Sequence, residues 1–223
     1  MSAPESGVPL EAGQLIDRFS RSSRWVHWLT ATLMISCMLT AAVLYNGSIA
    51  VIVGHRYLVE QIHVYSGFAL PVPLVVGVVS RAYRDDARRL NRFTSLDWAW
   101  LRSRTRRDGT IEVGKFNAGQ KLNGALSAGS IGVLLVSGAV MYFTGLTPLG
   151  WRSGATFVHD WFALAVGLLV VGHVVMAAND PYAMAGMRSG RVPLRWARRE
   201  HGAWAREVAG KPPAATSDHS SRG

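Results

Sequence analysis

The sequence predicts an all-α integral membrane protein, a four-helix bundle whose N- and C-termini are both cytoplasmic. Three observations carry this. Four apolar runs are each about 20 residues long, which matches a hydrocarbon core about 30 Å thick. Hydrocarbon offers a backbone no hydrogen-bond partners, so each run must be helical. Of 24 Lys and Arg residues, only Arg56 and Arg152 fall in the connections after runs one and three. The other 22 lie in the N-terminal arm, the middle loop and the C-terminal tail, which the positive-inside rule puts in the cytoplasm. The composition, 49% hydrophobic with a net charge of +10 over 223 residues, averages over these two patterns.

Residues 1–24 read as a mobile N-terminal cytoplasmic arm. Arg18, Arg21 and Arg24 precede the first run, as in a secretory signal, but that run is too long and lacks a convincing small-residue cleavage site. It reads as an uncleaved span, about Trp25 to Tyr45, with Trp25 and Trp28 at the aromatic belt. The second run, about Leu58 to Ser80, contains Pro71 and Pro73, which predict a kink in mid-bilayer. The cytoplasmic loop 81–121 follows, with a short serine-capped surface helix over Ser95 to Trp100 and a turn at Arg107 to Thr110. Its run Arg102, Arg104, Arg106 and Arg107 could serve nucleic acid, but beside membrane spans it reads as a topological signal that also attracts anionic lipid. The third and fourth runs are about Leu122 to Thr144 and Thr156 to Ala178, and residues 25–180 form one membrane domain. The basic tail, 181–223, mixes Trp196 and Trp204 with Arg195, Arg198, Arg199 and Arg206, as an interfacial amphipathic helix would. From Lys211 onward Pro, Ala and Ser predict disorder. The lone cysteine, Cys37, reads as a small buried hydrophobe; it excludes an internal disulfide and haem attachment through C-x-x-C-H.

Four histidines stand inside or at the mouths of the runs. His27 opens the first at the cytoplasmic side, and His63 and His159 open the second and fourth at the outer side. His173 lies fourteen residues beyond His159, which is about 21 Å deeper and within about 40° of the same helix face. Depth sorts the four into an outer pair, His63 with His159, and an inner pair, His27 with His173. An ionisable or metal-binding side chain at such depth is a functional hypothesis by default. Two facing imidazoles leave a tetrahedral zinc site incomplete but supply both axial ligands of a planar porphyrin. Two haem b groups follow, with the four histidines as ligands of the haem irons. Small residues fall where the rings should pass: Gly67 one turn from His63, Gly77 and Ala41 fourteen residues from His63 and His27, and Gly172 beside His173. The third helix, rich in glycine and without histidine, should pack without supplying a ligand. His55, His201 and His219 read as solvated side chains.

Several segments resemble a known family, the cytochrome b (gamma) subunit of membrane-bound respiratory formate dehydrogenase, related to the b-type cytochrome anchors of nickel–iron hydrogenases. They are Arg24-Trp25-Val26-His27-Trp28, His63 with Gly67, Lys115-Phe116-Asn117-Ala118-Gly119-Gln120-Lys121, His159 with His173, Met187-Arg188-Ser189-Gly190-Arg191-Val192, and Arg195 to His201. The resemblance covers about residues 15–208. It departs at Ala41, where the family pattern has glycine. It implies that His63 and His159 bind the outer haem and His27 and His173 the inner one, and that quinone, menaquinone or ubiquinone, accepts electrons beside the inner haem. Asn117 and Gln120 then fall near that haem, where their amides could hydrogen-bond quinone oxygens; capping of the third helix is the other reading of both. Arg21, Arg24 and Lys121 become candidate partners of the inner haem propionates. The implied partners are a periplasmic catalytic subunit that oxidises formate and an iron–sulfur subunit that delivers its electrons. The implied location is the bacterial inner membrane, with the chain as electron-transfer and quinone-reducing subunit. Two other functions stay open: the cytochrome b anchor of a hydrogenase or other periplasmic oxidoreductase, and a histidine-containing metal transporter.

Overall fold

The computed structural model describes residues 13–105 and 110–210. Four long apolar helical segments dominate it: α1 (Arg21–Tyr45), the pair α3 (Arg56–Ala69) and α4 (Pro71–Gly77), α7 (Ala118–Tyr142) and α8 (Leu149–Ala178). Ser20 starts α1, its hydroxyl accepting from the Ser23 amide at 3.1 Å. Asn46 ends α1 and caps the short α2 (Gly47–Val53), accepting from the Ile49 amide at 3.1 Å; no apolar periodicity foretold α2. The proline pair does break the second span. Pro71 has no N–H to continue the ladder, so α3 ends at Ala69, and Leu70 turns its N–H to the Ser66 and Gly67 carbonyls.

That break places Leu70 at the centre of the bundle, packed with Met34 of α1, Ile131 of α7 and Val166 of α8. Each spanning segment contributes one residue to this core. Helix α1 runs along α3 and α4, α7 runs along α8, and α3 meets α7. Most other apolar side chains of the spans, such as Leu39, Val75, Val136 and Leu168, point outward. A helix apolar on its outer face suits hydrocarbon and not water.

The other elements gather at the charged end. They are β1 (Leu15–Asp17), α5 (Arg81–Leu90), α6 (Ser95–Arg102), α9 (Pro181–Ser189), β2 (Arg191–Pro193), α10 (Leu194–Glu200) and α11 (Gly202–Ala209). Strands β1 and β2 pair antiparallel, with Ile16 opposite Val192, so the all-α expectation omits one two-stranded ribbon. The arm expected to be mobile is therefore tied to the tail from Leu15 onward. A second core seals them, made of Ile16, Val192, Leu194, Trp196, Ala197, Trp204 and Ala205. Trp196 and Trp204 are buried, which corrects the reading of the tail as an interfacial amphipathic helix. The turn into β2 needs glycine: Gly190 has φ of 88°, and a Cβ there would meet the Phe19 carbonyl oxygen at 2.8 Å.

In the middle loop the short helix exists, but Thr94 caps it in place of a serine, in a capping box with Asp97. Most of the turn expected at Arg107 to Thr110, the disorder expected from Lys211 and the residue His219 lie outside the described residues.

Candidate functional site: two histidine pairs at two depths

The bundle brings the four histidines together in two pairs, His63 of α3 with His159 of α8 and His27 of α1 with His173 of α8. The ring centroids of His63 and His159 are 6.3 Å apart, and those of His27 and His173 are 6.1 Å apart. Two imidazoles on opposite sides of one metal, each bond about 2.0–2.1 Å, would have their centroids about 6.4 Å apart. Both pairs have the spacing that one shared metal between two rings requires. Among the described residues, no three His, Cys, Asp or Glu side chains converge on one point, so neither pair is part of a larger ligand cage.

In the outer pair the second ring nitrogen is occupied. His63 Nδ1 lies 2.9 Å from Thr40 Oγ1 and 3.2 Å from the Cys37 carbonyl oxygen, both on α1. His159 Nδ1 lies 3.0 Å from Ser137 Oγ on α7. That leaves Nε2 of each ring as the nitrogen able to coordinate. The glycine-rich third helix thus holds the His159 ring through Ser137. It also makes room, because a Cβ at Gly138 would stand 3.3 Å from His159 Cε1. Sequence reasoning missed Thr40 and Ser137, whose only local sign is a hydroxyl-bearing residue on an apolar helix, and took Gly138 only as one of the packing glycines of the third helix. Cys37 is half-buried beside the core, its Sγ 3.8 Å from the His63 carbonyl oxygen.

The glycines expected to admit planar rings divide. Gly67 and Gly172 face open space. Gly77 does not: a Cβ there would meet Val26 Cγ2 at 2.7 Å and the Tyr83 ring at 3.0 Å. Its small size serves the close approach of α4 to α1 and α5. Partial burial pushes the half-buried Tyr83 phenol above its usual range.

Asn117 and Gln120 form a reciprocal capping box at the start of α7. Asn117 Oδ1 accepts from the Gln120 amide at 2.9 Å, and Gln120 Oε1 accepts from the Asn117 amide at 3.0 Å. Both amide oxygens are used by the helix, while each side-chain NH2 keeps its capacity to donate. Nearby, Lys115 pairs with Asp86, whose other oxygen accepts from Ser23 Oγ at 2.9 Å. Ser23 stands one helical turn before His27. Burial holds the Lys115 ammonium below its ordinary range, against the pull of Asp86. Lys121, a candidate propionate partner, instead binds Asp97 at 2.7 Å and the Arg92 carbonyl oxygen at 2.9 Å. Arg24 donates to the Arg188 carbonyl oxygen and keeps a buried Nε without a partner among the described residues. Arg21 is exposed.

His201 corrects the expectation of a solvated tail histidine. It is 2% exposed, between the rings of Trp196 and Trp204. Its Nδ1 donates to the Gly114 carbonyl oxygen at 2.7 Å, and its Nε2 accepts from Arg18 Nη2 at 3.1 Å. The Arg18 guanidinium lies over the face of Trp196, 4.5 Å from the centroid. Burial lowers its pKa to about 10, with Asp180 and Asp86 opposing. His55 is exposed, as expected.

This chain is similar in sequence to known proteins. The cytochrome b556(Fdn) subunit of nitrate-inducible formate dehydrogenase from Escherichia coli K12 is 32% identical over 100 residues, 44% of this chain and 46% of that protein. The subunits of the same name from Escherichia coli O157:H7 and Shigella flexneri match equally. The match spans about half the length of these relatives, and it bears out the resemblance to a formate dehydrogenase cytochrome b subunit. The model of the prokaryotic cytochrome b561 family matches residues 18–190, which include all four paired histidines. The chain is an integral membrane protein of the prokaryotic cytochrome b561 family, a membership that implies haem b.

Proposed function

We propose that this chain is the dihaem b-type cytochrome subunit of a periplasmic formate dehydrogenase, carrying electrons across the bacterial inner membrane to quinone. The observation that carries the reading is the presence of two facing histidine pairs, at 6.3 and 6.1 Å, on two levels of one bundle. His63 and His159 would hold the outer haem, and His27 and His173 the inner one. Bound there, haem b supplies a one-electron carrier at each level. The protein's part is to fix the two sites and set their surroundings.

The charged end, which gathers the basic arm, middle loop and tail among the described residues, faces the cytoplasm in this reading. The outer pair then lies toward the periplasm, where an iron–sulfur subunit delivers electrons from the formate-oxidising subunit. Quinone is reduced near the inner pair. There the side-chain NH2 groups of Asn117 and Gln120 can donate to its oxygens, and protons enter from the cytoplasm. The resemblance of Lys115 to Lys121 to the formate dehydrogenase subunits supports formate as the electron source over a hydrogenase.

Purified protein should contain two b-type haems per chain, by reduced-minus-oxidised spectrum and haem quantitation. Absence of haem absorption overturns the reading. In membranes holding the native partners, formate should reduce both haems. Reduction by hydrogen and not by formate would assign the chain to a hydrogenase. His173→Ala should remove the inner haem and quinone reduction while formate still reduces the outer haem; unchanged quinone turnover overturns the assignment of the pairs.

A further inference from the structure

We infer that Thr40 and Ser137 are positioning residues: they lock both outer imidazoles in the tautomer protonated at Nδ1 and hold the outer haem at a lower reduction potential than the inner. The inference rests on the proposed binding of haem by the two pairs.

The tautomer follows from the acceptors around each ring. The hydroxyl proton of Thr40 is directed to backbone carbonyls of its own helix, with Ser36 O at 2.7 Å and Cys37 O at 3.0 Å. Its oxygen is then left to accept from His63 Nδ1 at 2.9 Å. The Cys37 carbonyl oxygen, 3.2 Å from the same nitrogen, can only accept. Ser137 repeats the arrangement on α7. Its hydroxyl donates to Val133 O at 2.7 Å, so its oxygen accepts from His159 Nδ1 at 3.0 Å. The Leu134 carbonyl, 3.3 Å from Ser137 Oγ, is a second acceptor for the same hydroxyl. Ser137 is buried, so water does not compete for the bond. Each outer ring therefore meets a hydroxyl oxygen of the neighbouring helix, His63 a carbonyl as well, and each presents the Nε2 lone pair.

The inner pair is set differently. Among the described residues its rings contact other rings, His27 with Trp28 at 5.4 Å and with His173, and neither has a hydroxyl or carbonyl partner. A hydrogen bond donated from the distal ring nitrogen raises the basicity of the ligating one. A more basic ligand favours ferric over ferrous iron, so the outer site is biased to the lower potential. The asymmetry makes one-electron transfer from outer to inner level favourable, with no proton moved between the pairs.

Potentiometric titration of the purified holoprotein tests this, the outer component being the one that disappears in His63→Ala. Thr40→Val and Ser137→Ala should each raise the outer potential and leave the inner one in place. Each tenfold loss in the ferric-to-ferrous preference corresponds to about 59 mV for one electron. Thr40→Ser and Ser137→Thr should keep the wild-type potential. Loss of the outer haem in Ser137→Ala with retention in Ser137→Thr supports the same role. An unmoved outer potential in both Thr40→Val and Ser137→Ala, with the haem retained, overturns it. Wild-type protein without haem would instead defeat the functional proposal on which this rests.

Discussion

Gly77→Ala tests whether this glycine serves helix packing and whether that packing positions His27. The added methyl would sit 2.7 Å from Val26 Cγ2 and 3.0 Å from two carbons of the Tyr83 ring. Carbon pairs rest at about 3.5–4.0 Å, so α4 and α1 have to part by roughly 1 Å. Val26 is 4% exposed and, as a β-branched residue in a helix, has one strongly preferred rotamer, so it cannot turn aside. Overpacking of this kind costs about 1–3 kcal/mol. His27 is the next residue, so a displaced Val26 also moves His27 against His173. The expected outcome is a lower melting temperature of the detergent-solubilised protein together with selective loss of the inner haem from the reduced-minus-oxidised spectrum. Val26→Ala should restore much of both in the double variant, because it removes Cγ2, the atom that the new Cβ meets most closely. Wild-type melting and full inner haem in Gly77→Ala alone would refute the argument.

Four further outcomes are expected. Lys115→Met strands the Asp86 carboxylate, whose side chain is 12% exposed, and should destabilise the charged end by about 3–5 kcal/mol; adding Asp86→Leu should recover most of this in denaturant melts. Because burial lowers the Lys115 pKa from 10.5, the unfolded chain binds that proton more tightly, and this group makes stability rise as pH climbs toward 10.5. Lys115→Met should lose that alkaline rise, and a steeper alkaline rise in the variant than in the wild type would contradict the sign. His201→Phe keeps the ring stack but removes the bonds to the Gly114 carbonyl and to Arg18 Nη2, which keeps only its 3.3 Å bond to the Lys115 carbonyl; the cost of about 1–3 kcal/mol should appear as faster proteolysis between arm and tail with haem content unchanged. Asn117→Asp keeps the capping oxygen and loses the NH2 donor, so it should lower quinone reduction without lowering stability. Asn117→Ala should lower both, with about 0.5–2 kcal/mol from the lost cap.

What was legible in the sequence is what a single coordinate along the chain determines. A helix advances about 1.5 Å per residue, so the depth of His27, His63, His159 and His173 could be counted, and depth alone put them in pairs. The proline break is equally local, since Pro71 removes one ladder bond wherever the helix lies. The capping box at Asn117 and Gln120 is a three-residue signal, visible together with its rival functional reading. What escaped depends on rotation and on distant partners. That Ser137 faces His159, or that Gly77 faces Val26, is set by the turn of one helix against another, and no periodicity within either helix encodes it.

The charged end escaped for a different reason. Strands of three residues and helices of seven to ten residues carry too little periodicity to read, and the cap they form exists only because residue 16 meets residue 192. His201 shows the consequence. Composition around it, arginine-rich with scattered tryptophan, describes a solvated or interfacial tail equally well. Burial came from Arg18, which reaches it from the opposite end of the sequence. The segments around residues 16 and 192 therefore fold as one unit that closes the end of α1 carrying His27, where the inner histidine pair begins. A perturbation of the ribbon at Ile16 or Val192 should be felt first at the inner pair, because Phe19 and Arg24, between that ribbon and His27, both touch the Gly190 turn. The outer pair, held by bonds to α1 and α7 within the bundle, has no such dependence on the cap.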